Sequence, residues 1–226
     1  MKSLILLHGA LGCSEQFNQL YSLLQDKYEV YKFDFSGHGK NSDNVEFTID
    51  RFTDDLHAFI KDREIQSTAI FGYSMGGYVA LNLALKHADH IQKIITFGTK
   101  FDWNPEVAEN EIRKLDPKKI SEKVPAFAQR LAELHGEARW QTVVRNTADM
   151  MNGLGNGSGL TDFDFRQIKT PVLICRGELD SMVTRSESEH VAALIENGNY
   201  MEISGFKHPI EAIDHNQLAG MITNWI

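Results

Sequence analysis

The chain has no basic cluster. Its 23 lysines and arginines are scattered among 31 acidic residues, for a formal net charge of −8. A phosphate-backbone partner needs clustered cations, so nucleic acid is excluded. Long apolar runs are missing too. The longest near the N-terminus, Leu4 to Leu7, is far too short for a signal-peptide core or a membrane span, which points to a cytoplasmic location. Cysteine is scarce, at two, and in that compartment both Cys13 and Cys175 are expected to be free thiols. Cys13 as a nucleophile has no nearby histidine to activate it. No set of His, Cys and acidic residues has metal-ligand spacing, so neither a metal nor another cofactor is expected.

What is present is an alternation. Short apolar runs at Leu4–Leu7, Tyr28–Phe33, Thr68–Phe71, Ile91–Phe97, Pro171–Cys175 and Tyr200–Ile203 predict six strands. Helical periodicity lies between them, as in Phe17, Leu20 and Leu24 or Ile49, Phe52, Leu56 and Phe59. Repeated β-α units of this kind make a mostly parallel sheet flanked by helices, and 226 residues suffice for one such domain.

One block breaks the pattern. From about 101 to 169 the sequence is helix-like with no convincing strand, and it holds three of the five prolines. It is too long for a plain loop, so it reads as a helical cap inserted into a core made of residues 1–100 and 170–226. Its glycine-rich stretch from Asn152 to Gly159 has no preceding strand and no following Lys-Ser/Thr. It therefore reads as a hinge or turn rather than a phosphate cradle.

The chemistry-bearing motif is Gly72-Tyr73-Ser74-Met75-Gly76, at the junction of the third predicted strand and a helix. A serine on so sharp a turn has a strained backbone and an exposed hydroxyl, and bulky residues two positions either side would clash. The following helix aims its free N–H groups at a developing oxyanion. With 17 glycines in the chain, a bare Gly-x-Ser-x-Gly arises by chance at a rate of roughly 7%, so its placement at the junction carries the weight.

With this motif, His8-Gly9-Ala10-Leu11-Gly12 after the first strand, and Asp34-Phe-Ser-Gly-His-Gly39 after the second, the chain resembles the α/β-hydrolase superfamily, small capped serine esterases in particular. The resemblance implies that Ala10 and Met75 supply the backbone N–H groups of an oxyanion hole. It also implies the chain order Ser, Asp, His: Asp180 in the Gly177-Glu-Leu-Asp turn as the acid, and His208 after the last strand as the base. Three departures stand out: Ser42 lies one residue later than in the family's turn, Lys207 replaces the usual glycine before the histidine, and Glu211 lies close after it. Asp34, Asp102 and Glu178 compete for the acid role. His8 and His38 read as loop-orienting residues, and the six other histidines as solvated groups on helix faces or ends. The expected activity is hydrolysis of a small carboxylic ester through an acyl-enzyme, with Trp103, Phe127, Trp140 and Met151 of the cap as candidate contacts to a small acyl substrate. Relatives of this kind also cleave thioesters or carbon–carbon bonds, act as lyases or perhydrolases, or sense small molecules with slow hydrolysis.

Overall fold

The computed structural model describes residues 1–226. Six strands form one sheet: β1 (Lys2–Leu7), β2 (Tyr28–Phe33), β3 (Thr68–Tyr73), β4 (Ile91–Phe97), β5 (Val172–Gly177) and β6 (Gly198–Ile203). Their order across the sheet is β2-β1-β3-β4-β5-β6, and every neighbouring pair is parallel.

The unbroken apolar run of β1 follows from burial on both faces. Ile5 and Leu7 point into one apolar cluster, with Phe52, Leu56, Val79 and Leu83. Leu4 and Leu6 point into the other, with Phe17, Leu20, Leu218 and Ile222. Thus α1 (Asn18–Leu24) and α10 (His215–Trp225) cover one face. The other is covered by α2 (Ile49–Asp62), α3 (Met75–Lys86) and α9 (Arg185–Leu194). The strands β3 and β5 run two residues beyond their apolar cores, through Gly72 and Gly177. Glycine is needed at Gly177 because a side chain there would meet the carbonyl of Phe206. Pro171, with no N–H to give, stays outside β5, though its carbonyl accepts from Ile94 N at 2.9 Å.

No strand comes from the stretch between β4 and β5. It holds α4 (Pro105–Ile112), α5 (Pro117–Lys123), α6 (Pro125–His135), α7 (Trp140–Gly153) and α8 (Asp162–Gln167). Its three prolines open the first three of these helices, where the missing N–H costs nothing. Asn104 and Asp116 cap α4 and α5 through their side chains, and Thr161 with Asp164 forms a capping box on α8. The glycine-rich stretch is helical for much of its length. A wide helical turn, Leu154–Ser158, continues α7 until Gly157 adopts a φ of 97°. Gly155 is buried where a side chain would strike Ala108 of α4, so its glycine serves close packing. None of the helices is long and apolar enough to cross a membrane.

Candidate active site

Ser74 follows β3 and caps the start of α3 with φ 51° and ψ −115°. For a residue with a side chain this is a strained conformation, and the surroundings hold it. Its N–H donates to Phe97 O at 2.8 Å, and its carbonyl accepts from Thr99 Oγ1 at 2.9 Å. A side chain at Gly72 would collide with the backbone of Gly76 and Gly77; one at Gly76 would collide with the carbonyls of Leu7 and His8. Gly72 therefore lets α3 start tight against β3, and Gly76 lets it start close to the end of β1.

Asp180 and His208 meet beyond the ends of β5 and β6. His208 Nδ1 lies 2.8 Å from Asp180 Oδ2, and the Asp180 side chain is fully buried. The other carboxylate oxygen accepts from Met182 N at 2.8 Å and Val183 N at 3.0 Å. Burial works against the Asp180 charge, but the bond and charge of His208, with those two N–H groups, outweigh it and hold the carboxyl below its ordinary range. Gly98, at φ 63°, makes room for the pair: a side chain there would come within 3.2 Å of His208 Nδ1 and 3.4 Å of Asp180 Oδ2. Gly98 directly follows Phe97, whose carbonyl holds Ser74, so the ends of β3, β4, β5 and β6 bring Ser74, Asp180 and His208 to one rim of the sheet.

The competing residues are engaged elsewhere. Asp34 accepts from Ser14 N at 2.6 Å and Lys40 N at 3.4 Å, tying two loops together. Glu178 accepts from Ser204 Oγ at 2.7 Å and Gly205 N at 2.9 Å. Burial pushes the Cys13 thiol up to about 11, far from a reactive thiolate. The Cys175 thiol is pushed up further by its complete burial.

A small pocket, about 40 Å³, opens at Ser74 between Ala10 and Met75. Its walls are otherwise apolar apart from Lys100: Ile49 and Tyr78 from the core, and Trp103, Met150, Met151 and Leu154 from the helical block. Of the four cap residues singled out by sequence, Trp103 and Met151 line this pocket. Phe127 and Trp140 do not. Phe127 sits on the outer surface of α6, 41% exposed, and Trp140 is buried inside the block against Ile120, Leu131 and Val144. Helical spacing alone does not say which face meets the pocket and which packs on a sister helix. Tyr78 had a legible signal, being one helical turn after Ser74 on α3; Ile49 and Lys100 had none.

Two histidines read as solvated are buried. His135 has no exposed surface, and His215 only 6%. His135 sits at the end of α6, where Gly136 turns the chain at φ 90° and delivers the ring onto the core.

Residues 1–212 match the family described as serine aminopeptidase, S33. The chain belongs to that family of α/β hydrolases. It is 33% identical to proline iminopeptidase PfmaB of Pestalotiopsis fici, over 55% of this chain and 44% of that protein. It is 27% identical to a pimeloyl-acyl-carrier-protein methyl ester esterase of Nitrosomonas europaea, over 44% of this chain and 40% of that one. The chain spans less than half the length of both relatives. An enol-lactonase structure from Burkholderia xenovorans shares the fold with a TM-score of 0.80 at 18% identity, covering 99% of this chain and 90% of the other. Three different names on one scaffold leave the substrate to the site.

Proposed function

We propose that the chain is a serine hydrolase that cleaves a small carboxylic ester through an acyl-enzyme. The observation that carries this is the buried Asp180–His208 hydrogen bond at the same sheet rim as the strained Ser74. Asp180, as acceptor, keeps the proton on His208 Nδ1, so Nε2 is the free base. It takes the Ser74 proton as Oγ attacks the ester carbonyl, and the imidazolium is stabilised by the Asp180 charge. Backbone N–H groups of Ala10 and Met75 hold the oxyanion. On collapse, His208 returns the proton to the leaving alkoxide; water then attacks the acyl-enzyme with His208 as base again.

An ester suits this pocket better than a peptide with a free N-terminus. Holding a substrate ammonium takes a carboxylate, yet the one charged group among the lining residues is the cation Lys100. The remaining walls are apolar, which fits a compact acyl group. Residues 101–169 act in this reading as the cap, through Trp103, Met150, Met151 and Leu154.

A panel of p-nitrophenyl and thioester acyl chains of graded length tests the reading, against wild type and Ser74→Ala. Multiple turnovers of short esters by wild type, none by Ser74→Ala, and fluorophosphonate labelling of Ser74 alone are expected. Labelling that persists in folded Ser74→Ala sinks the assignment; one turnover per chain points to a sensor instead.

A further inference from the structure

The turn that carries Ala10 is held from the far side by the helical block. Gly12 N donates to Gly9 O at 3.1 Å, closing a four-residue turn with Ala10 and Leu11 in the middle. Leu11 has a φ of 60°. That is the position where such turns favour glycine, and a leucine stays there only under constraint.

The constraint comes from 124 residues away. Leu11 O accepts a hydrogen bond of 3.0 Å from His135 Nε2, on α6. The other ring nitrogen, Nδ1, lies 3.1 Å from Gly39 N. A backbone N–H can only donate, so Nδ1 is the bare acceptor and Nε2 carries the hydrogen given to Leu11. Both ring nitrogens are used, in one tautomer, on a side chain with no exposed surface. Burial outweighs the hydrogen bond to Leu11 and lowers the proton affinity of this imidazole, in line with the bare Nδ1 that accepts from Gly39.

The Leu11 side chain also packs against the block's Ile120, Leu131, Trp140 and Val144, while two further polar contacts dock the block without touching that turn. Arg139 donates to Gly39 O at 2.9 Å and Gly37 O at 3.5 Å, and Asn146 Nδ2 donates to Val45 O at 3.2 Å. His135 alone among these three reaches the Gly9–Gly12 turn.

We propose that His135 is a positioning residue for the oxyanion hole: its bond to Leu11 holds the left-handed backbone of the turn, and so the aim of the Ala10 N–H. The helical block thereby takes part in the chemistry as well as in forming the pocket. This rests on the reading that Ala10 N–H receives the oxyanion. Without the bond, Leu11 relaxes toward negative φ and the Ala10 peptide turns away. With glycine at position 11 no such drive exists, since glycine occupies the left-handed region freely.

The test uses the full-length protein and a short p-nitrophenyl ester, with kcat and KM measured separately for His135→Ala, His135→Gln, Asn146→Ala, Leu11→Gly and the His135→Ala/Leu11→Gly pair. Because a misaimed donor loses part of the ~10²-fold effect of a deleted one, His135→Ala should lower kcat on the order of tenfold with KM changed less than about twofold. Glutamine can still donate to Leu11 O, so His135→Gln should recover most of kcat. Asn146→Ala should lower stability with kcat within about twofold. The loss from His135→Ala should shrink when Leu11→Gly is also present. The rate of fluorophosphonate labelling, which also needs the oxyanion hole, should follow kcat. If folded His135→Ala keeps kcat within twofold, or Leu11→Gly leaves its loss unchanged, the proposal is overturned. Should His135→Ala fail to fold, a His135→Gln variant with wild-type folding but tenfold lower kcat overturns it as well. A wild type with no Ser74-dependent turnover defeats the underlying ester-hydrolase reading instead.

Discussion

The sheet rim and the helical block meet at Ser74 but are built in different ways. At the rim, the backbone sets the geometry. Ser74 is held by Phe97 O and Thr99 Oγ1, Asp180 by two consecutive N–H groups, and Gly72 and Gly76 by backbone approaches too close for any side chain. In the block, side chains set it: Trp103, Met150, Met151 and Leu154 form the pocket wall, and His135 and Arg139 dock the block on the core loops. Backbone constraints tolerate little change, whereas side-chain walls can be rebuilt one residue at a time. The division lets one set of rim groups be served by different pocket walls, and it can be broken by mutation.

The largest effect belongs to the rim. Replacing Asp180 by Asn keeps the shape but offers a donor where His208 Nδ1–H needs an acceptor. The expected loss in kcat is on the order of 10⁴-fold, and it should not add to the loss from Ser74→Ala. Asp34→Asn should act mainly on stability, since Asp34 bonds only to backbone N–H groups of Ser14 and Lys40. Measuring kcat for both, with folding checked by circular dichroism, separates them. A folded Asp180→Asn that keeps more than about a tenth of kcat would place the acid elsewhere.

The rim was also the more legible region, for the same reason. Backbone geometry leaves marks in the sequence: glycines where nothing else fits, a serine at a strand-helix junction, apolar runs where both sheet faces are covered. The run Leu4–Leu7 reads as a buried strand because its alternate residues enter two different clusters. Side-chain walls leave fewer marks. Phe127 and Trp140 have the same apolar character as Trp103 and Met151, yet one faces outward and the other faces a sister helix. His135 was hidden in another way. A histidine at a helix end is ordinarily wet, and only the fold shows that Gly39 N and Leu11 O wait on the core to receive it.

A second, smaller effect concerns the seam between the two regions, where three neutral histidines are buried. His8 Nε2 accepts from Phe35 N at 3.3 Å, and its Nδ1–H donates to Gly9 O at 2.8 Å. His38 donates from Nδ1 to Ser36 O at 3.1 Å and packs tilted against His8 at 5.0 Å, while its Nε2 is buried without a partner. Burial lowers the proton affinity of His8 to about 4, and that of His38 well below the ordinary histidine value. Below pH 6.5 the unfolded chain takes up protons that these two groups refuse in the folded state, so stability falls as pH drops from 6.5 toward 4. With its pKa lowered to about 4, His8 alone costs about 2 kcal/mol at pH 5, and His38 adds to this in the same direction. Denaturant midpoints from pH 7.5 to 5 measure this, and His38→Asn should flatten the slope by about one proton's worth. A flat profile in wild type would contradict buried neutral histidines at the seam.

The smallest expected effect is the one that tests the block's wall directly. Met151 lines the pocket at Ser74, half-buried on α7, whereas Phe127 is the larger side chain but lies on the outer surface of α6. If proximity to Ser74 matters and apolar size alone does not, Met151→Ala should enlarge the pocket and move the preferred acyl chain longer by one or two carbons. At about 0.8 kcal/mol per buried methylene, each added carbon is worth roughly fourfold in kcat/KM. Phe127→Ala removes more apolar surface from the protein but none from the pocket, so the chain-length profile should stay as in wild type, with stability changed by about 0.5 kcal/mol or less. The comparison is read as the ratio of kcat/KM for neighbouring acyl lengths, which cancels any difference in the amount of active protein. A shifted profile in Phe127→Ala would mean that α6 borders the acyl group, and an unshifted one in Met151→Ala that Met151 does not.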